Sequence, residues 1–433
     1  MRLGAAAALR PLHYRKFAVL WTASLVSNVG TWMQTVAVGA LVISRTGQAS
    51  WAVLVAAGAF LPIGLLSPVG GALADRLPRR PVIAGGNFAA GLVAAVIAAL
   101  VAARHDDPYG LLALVTLQGS VSALIGPFTQ AILPDLVPRS EFLAASSLNS
   151  AQWNAGRIFG PAIAGVVIAA FGYAASFTAN AVSFLAVVAA VLCIRLAPPP
   201  GSQARLINSM RDGLRATWAQ PSCRAATVTM AVVAFLAAPF IALVPAVALS
   251  LSRHVAAATA TLTTAQGLGA VAGALILPPL ALRIGRGRAL AWSLALLPLS
   301  LIGYGCAGSL WLAVLALFVV GLVYMGVLAG LQTAVQLHAP APYRGRVLSF
   351  FLVALGVAYP IGALVQGPVA DHIGVGWTTV AAALFLAATY LLVVLRWPAF
   401  VRAVTADPAD GQDPASLGPS GEAQPAGESA GVG

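Results

Sequence analysis

The chain has 433 residues, 60% of them hydrophobic and 8% charged, with 43 glycines, 28 prolines and a formal net charge of +12. A soluble protein keeps about 25% charged residues to solvate its surface; with that share missing and a mean hydropathy of +0.90 spread along the chain, the solvent is mostly lipid. Apolar runs of about 20 residues or more exclude the alternating ten-residue strands of an outer-membrane barrel and leave an all-α membrane protein.

Taken in chain order, a basic segment ending at Lys16 precedes an apolar run too long for a cleavable leader, so the first span is expected to stay. Apolar stretches then fall at 17–43, 51–74, 81–103, 110–133, 142–171, 174–196, 224–250, 259–282, 289–307, 311–337, 345–370 and 377–397. Each can cross about 30 Å of hydrocarbon at about 1.5 Å per residue. The longest interior polar segment, opening with Pro198-Pro199-Pro200, divides about twelve predicted transmembrane helices six and six. The expected organisation is a bundle over 1–196, a cytoplasmic central loop over 197–223, a second bundle over 224–397 and a tail over 398–433. The tail is rich in Pro, Gly, Ala and Ser, a composition that predicts disorder.

Charge placement tests this segmentation. With the N-terminus cytoplasmic, twenty of the 24 Lys and Arg residues lie inside, Arg45, Arg104 and Arg253 lie outside, and Arg157 falls within a span. By the positive-inside rule both termini are expected in the cytoplasm, with the chain in the plasma (inner) membrane. The same dispersal into short loops argues against a nucleic-acid partner. No Gly-Lys-Ser/Thr triplet is present for a phosphate-binding loop. Neither H-E-x-x-H nor G-x-S-x-G occurs, and His13, His105, His254, His338 and His372 sit near span ends or in loops, against a membrane-embedded enzyme. Cys193, Cys223 and Cys306 stand far apart, so no disulfide framework, metal or cofactor is expected.

In the first span Ser24, Asn28, Thr31 and Thr35 recur at helical spacing with Trp32 beside them, a stripe that either lines a pathway or holds helices together. The loop after the second span reads Gly71-Ala-Leu-Ala-Asp75-Arg76-Leu-Pro-Arg79-Arg80. It resembles the signature between helices 2 and 3 of the major facilitator superfamily, with Pro78 in place of the second glycine. The resemblance implies a secondary transporter of two six-helix bundles with its site near the midplane. In it Gly71 would permit close helix contact, Asp75 would accept hydrogen bonds from a neighbouring helix N-terminus, and Arg76, Arg79 and Arg80 would hold the cytoplasmic loop of a gate. The loop after the eighth span, Ala281 to Arg288, keeps the arginines but has Leu282 where Asp75 would be, so such a gate acts from one half.

In the fourth span Gln118-Gly119 is present, but Val115 stands where proton-coupled exporters of the superfamily carry Arg. Asp75, Asp106, Asp107, Asp135, Glu141, Asp212 and Asp371 all lie in loops or at helix ends, and the other carboxylates are in the tail. Protons are a candidate coupling ion with no mid-membrane relay; uniport, substrate-borne charge and an edge relay through Asp135, Glu141, Asp371 or His338 stay open.

The fifth span carries Ser146, Asn149, Ser150, Trp153 and Arg157 within an arc of about 100° on one helix face. Arg157 would cost about 2.5 kcal/mol or more facing lipid, so it should face a cavity or be tied to backbone carbonyls between bundles. Gly160-Pro161-Ala-Ile-Ala-Gly165 resembles the fifth-helix signature of the superfamily's antiporters, which implies helices that slide or bend. In the second half Gln266, Tyr324, Gln332, Gln336, Tyr359 and Gln366 are thinner candidates, each more readily explained by helix packing than by ligand contact.

The run from Pro342 through Arg344 and Arg346 to Ser349, with Pro360, Gly367-Pro-Val-Ala-Asp371 and the opening Ser27-Asn28-x-Gly30-Thr-Trp32-Met, narrows the resemblance. It is similar to the transmembrane secretion effectors, which include enterobactin-type siderophore exporters and macrolide-efflux-like proteins. That implies a monomeric exporter of a drug, siderophore or other secondary metabolite, working by alternating access. Its small-molecule contacts would be Asn28, Trp32, Asn149, Trp153, Arg157 and Tyr324. An uptake permease is the alternative, and the fifth-helix Gly-Pro signature favours export.

Overall fold

The structure, a computed structural model, describes residues 9–194, 196, 206–340 and 343–405. Twelve spans are long and apolar enough to cross a membrane. The first six are α1 (Arg15–Thr46), α2 (Ala49–Ala74), α3 (Arg79–Ala102), α4 (Pro108–Ala131), α5 (Phe142–Phe171) and α6 (Tyr173–Leu192). A helix α7 (Leu206–Ala219) follows in the central segment, and the seventh span is two pieces, α8 (Pro221–Leu236) and α9 (Phe240–Leu251). The rest are α10 (Val255–Ile284), α11 (Arg286–Gly305), α12 (Leu310–His338), α13 (Arg344–Ile373), α14 (Val375–Arg396) and a short α15 (Pro398–Thr405).

Tight connections follow from local chemistry. Gly47 ends α1 in the left-handed conformation at φ 68°, which a side chain would resist. At the start of α4 the Asp107 carboxylate accepts the Gly110 N–H at 3.0 Å, and Pro108 occupies a first-turn position that needs no donor. With twelve crossings, both ends of the described chain and α7 share one face, here the terminal face. The opposite face carries residues 47–48, 103–107, 172, 252–254, 306–309 and 374. There Arg45 grips Asp106 through two hydrogen bonds of 2.8 and 3.2 Å.

In the first bundle α2 packs on α4, α3 on α6, and α1 on α5 and α6; in the second α12 packs on α10 and α11, α8 on α13, and α11 on α14. Outward side chains such as Leu143, Val166, Phe171, Trp311 and Phe385 are exposed, as a surface meeting lipid requires. The first bundle's core is two apolar clusters, one around Phe17, Ile83 and Phe128 and one around Val36, Ile97 and Phe177. Between them lies a buried amide network. The Gln34 amide donates to the Gln118 carbonyl oxygen at 2.5 Å, Asn180 donates to the Gln34 carbonyl oxygen at 2.7 Å, and Ser183 donates to Asn180. Gly30 leaves the room that Asn180 and Ser183 occupy.

Two stretches differ from the sequence reading. The central segment contains the amphipathic helix α7, although its polar composition predicted only a loop. The tail was expected to be disordered from 398, yet Pro398–Thr405 forms α15, with Val404 buried and the Thr405 backbone against Gly287. Phe400, Val401 and Val404 fall at i, i+1 and i+4 and share one side of that short helix while Arg402 stays exposed; residues 406–433 lie outside the described chain.

The break in the seventh span has a local cause. Pro239 has no N–H, so the Phe235 carbonyl loses its helical donor, and the Phe240 N–H turns to Ala237 instead of Leu236. The Gln366 side chain on α13 replaces both missing donors, its Nε2 lying 3.1 Å from the Phe235 oxygen and 3.0 Å from the Leu236 oxygen. Gly362, one turn earlier, lets the α13 backbone come up to Phe235. Replacing Gln366 with Leu strands two carbonyls in an apolar interior, and should lower unfolding stability by about 1–2 kcal/mol. Thermal unfolding in detergent checks this, and an unchanged midpoint would show that the break needs no side-chain support.

Candidate functional site

The bundles meet chiefly along two helix crossings, α2 with α13 and α5 with α10, while α9 also packs on α1 and α2, and α10 on α1. At the first, a Cβ on Gly64 would sit 3.0 Å from the Gly356 carbonyl, so two glycines let the backbones touch. Towards the opposite face the pair stays closed: Gly367 abuts Ser50 and Val53, and Asp371 receives the N-terminus of α2. Its carboxylate accepts the Ala49 N–H at 2.5 Å, the Ser50 N–H at 3.2 Å and the Ser50 hydroxyl. An anion on free N–H groups at a helix start gains from the helix dipole as well as from the hydrogen bonds.

The second crossing follows the same plan. Gly165 lies against Ala260 near the opposite face, and Gly267 lies against the Arg157 carbonyl at mid-span. That carbonyl is free because Pro161, four residues on, has no N–H to offer it. Gly156 and Gly160 face the other way, onto Asn28 and onto Trp32 with Val29, and seat α5 on α1 within its own bundle. Beyond mid-span towards the terminal face, Ser146, Ser147 and Ser150 on α5 are exposed and, among the described residues, no glycine seats one bundle's span on the other's, so the bundles are read as parting there. A cleft opens to the terminal face and ends where the crossings close.

At its inner end Trp32 and Trp153 meet edge to face, ring centroids 5.8 Å apart. Arg157, one turn from Trp153, interacts electrostatically with Tyr324 of α12, and Tyr324 in turn with Tyr359 of α13. Tyr359 meets Phe60 of α2 at 5.7 Å, and Tyr324 meets Phe240 of α9 at 5.7 Å. Of the residues singled out in the sequence, the structure therefore gathers Trp32, Trp153, Arg157 and Tyr324, with Asn28 behind them at Gly156. Asn149 lies two turns from Arg157 towards the mouth. Thr35 is turned back onto its own helix, donating to the Thr31 carbonyl at 2.9 Å. Phe60 and Phe240 escaped the sequence reading, because an isolated Phe in an apolar span carries no periodic signal.

The loop after α2 is arranged differently from expectation. Asp75 is exposed, and among the described residues nothing donates a hydrogen bond to it, so the contact expected with a helix N-terminus is not made. A side chain at Gly71 would meet nothing within 4 Å; the close approach belongs to Gly70, against the Leu124 carbonyl. Arg79 donates to the Ala131 carbonyl at 3.1 Å and to Asp135 at 3.2 Å, and Arg80 donates to the Leu192 carbonyl, tying α3 to the ends of α4 and α6. Arg76 is exposed. Val115 is buried, and Gln118 is spent on the amide network, so no titratable group stands where proton-coupled exporters carry one.

Comparison with known proteins agrees with this architecture. Residues 6–414 match the family described as transmembrane secretion effector. Over 406 residues the chain is 28% identical to the multidrug efflux pump Tap of Mycobacterium tuberculosis, covering 91% of this chain and 96% of that one. It is 30% identical over 177 residues to the staphyloferrin A transporter of Staphylococcus aureus, covering 41% of this chain and 44% of that one. Among solved structures a bacterial homolog of the human lysosomal transporter Spinster superposes with a TM-score of 0.68 at 15% identity, covering 92% of this chain and 99% of that one. The chain belongs to the transmembrane secretion effector family, and it is a multi-pass transporter of the major facilitator superfamily.

Proposed function

We propose that the protein exports a drug, siderophore or other secondary metabolite across the plasma membrane by alternating access, with the terminal face in the cytoplasm. The observation that carries this reading is the cleft itself: one polar and aromatic face of α5 opens to the terminal face and ends at Arg157, under a seal made by the two crossings. The arginine and lysine bias supports the cytoplasmic assignment. Relatives named for multidrug efflux and for staphyloferrin A transport support the cargo class. Asn28, Trp32, Asn149, Trp153, Arg157 and Tyr324 are the proposed cargo contacts, spanning the cleft from mouth to inner end.

Alternation is proposed to run on the α2 and α13 pair. Fifteen residues separate Ala49 from Gly64 and Gly356 from Asp371, while eleven separate Gly64 from Asp75 and twelve Arg344 from Gly356. The glycine contact is thus a pivot with an arm on each side. Each helix has a carboxylate at or near its end: Asp371 grips the N-terminus of α2, and Asp75 is proposed to grip that of α13 when the cleft shuts. Arg76, Arg79 and Arg80 hold the loop behind Asp75. Gly160, Pro161 and Gly165 let α5 follow, and Gly71 gives room for α2 to close.

Two experiments test these claims. Cells expressing the chain in an efflux-deficient host should accumulate several-fold less of at least one compound in a panel of antibiotics and siderophores; accumulation above the vector control would favour uptake instead. A cysteine at Val53, buried beneath the Asp371 contact and placed in a background without Cys193, Cys223 and Cys306, should label slowly from outside. Asp371→Asn should speed that labelling by up to about 30-fold, since a partly buried helix-terminus carboxylate contributes up to about 2 kcal/mol. An unaltered rate would show that Asp371 does not hold the seal.

A further inference from the structure

The inner end of the cleft holds a permanent positive charge with no counter-ion among the described residues. Arg157 lies at mid-span, and among the described residues the twelve membrane spans carry carboxylates only at their ends or in the loops between them, Asp212 lying in α7 outside the spans. Asp106 is taken by Arg45, Asp135 by Arg79, Glu141 by Arg10, and Asp371 by the N-terminus of α2. Arg157 itself makes no hydrogen bond or ion pair to a described residue. A guanidinium has five donors, no acceptor and no neutral form to retreat to, so in a low-dielectric site it leaves an unmet demand for an anion.

Its neighbours tilt the same way. The Trp32 Nε1–H, which can only donate, is buried without a partner, and so is the Tyr359 hydroxyl. Buried polar groups in folded proteins are ordinarily paired, and unpaired ones mark a strained or ligand-binding site. Around them three edge-to-face ring pairs, Trp32 with Trp153, Phe60 with Tyr359 and Phe240 with Tyr324, present flat apolar walls drawn from six different spans. A lipophilic cation would find rings there but also an uncompensated like charge. An aromatic anion would find rings, a two-pronged donor and further donors beside it.

We infer that the cargo site takes aromatic oxyanions, with a carboxylate or an equivalent acidic oxygen pair seated on Arg157 and the ring system held by the Trp32–Trp153 wall. This rests on the proposed function in taking the cleft as the cargo site, and it adds the cargo's charge. Discrimination comes from Arg157; shape selection comes from the rings, which accept any planar apolar body of similar size.

The test uses purified full-length protein in nanodiscs and three probes of one shape: 1-naphthoate, 1-naphthamide and 1-naphthylmethylammonium, measured by equilibrium dialysis against empty nanodiscs. Naphthoate should bind saturably and at least tenfold more tightly than the ammonium compound. Arg157→Gln should cut naphthoate affinity about tenfold and naphthamide affinity much less, with an unchanged thermal unfolding midpoint reporting that the variant is folded; Arg157→Lys should restore part of the loss. Saturable ammonium binding at equal or higher affinity, absence of naphthoate binding to the native chain, or a preference for the anion that survives Arg157→Gln would each overturn the inference. Binding is indifferent to direction, so failure of export in cells with the anion preference intact would sink the efflux reading alone.

Discussion

A carboxylate at the end of one membrane helix, holding the first N–H groups of another, decides where this molecule is shut. Helix starts expose unpaired donors, and inside a membrane those donors have few alternatives. Asp371 satisfies two of them on α2 and with them the Ser50 hydroxyl. The contact joins the bundles at the opposite face, and with the close approach of Gly64 and Gly356 it fixes where α2 and α13 cross. Cleft, exposed Asp75 and sealed outer end are one geometric outcome.

The parts of this plan that repeat along the chain were legible in the sequence. Span number, the six-and-six division and the polar face of α5 follow from hydropathy and helical period, because lipid demands long apolar helices and a helix displays its residues every 100°. Pairings between distant helices were not legible. Gln366 reads as one more amide in an apolar run until Pro239, more than a hundred residues earlier, is placed beside it. Asp371 reads as a loop charge until Ala49 and Ser50 are opposite. Gly71 and Gly70 are equivalent by sequence, and only the direction in which α4 lies assigns the close approach to Gly70. Short helices such as α15 are hidden for a different reason: eight residues carry too little periodicity to stand out from a Pro- and Gly-rich tail.

That no acid is embedded at mid-membrane among the described residues bears on energetics. Gln34, Gln118 and Asn180 satisfy one another and carry no titratable proton, so the first bundle offers a rigid polar seam and no relay. A cargo that brings its own negative charge relaxes the need for one. Moving one elementary charge through a membrane potential is worth about 2.3 kcal/mol per 100 mV, and an interior-negative cell drives an anion outward with that gradient.

The side-chain support of the seventh span has a mechanical meaning. Because Gln366 carries the two carbonyls that Pro239 and Phe240 leave empty, the seventh span behaves as two rods joined by a splint belonging to its neighbour. The splint sits on α13 five residues before Asp371 and seven after Tyr359, so one helix carries the Asp371 contact, the joint and one ring of the proposed cargo site. In the proposed alternation a tilt of α13 would bend α8 and α9 about the joint in the same stroke. Phe240, the first residue past the joint and the partner of Tyr324, would then swing with it, so a ring of the proposed cargo site would serve as the hinge's indicator needle.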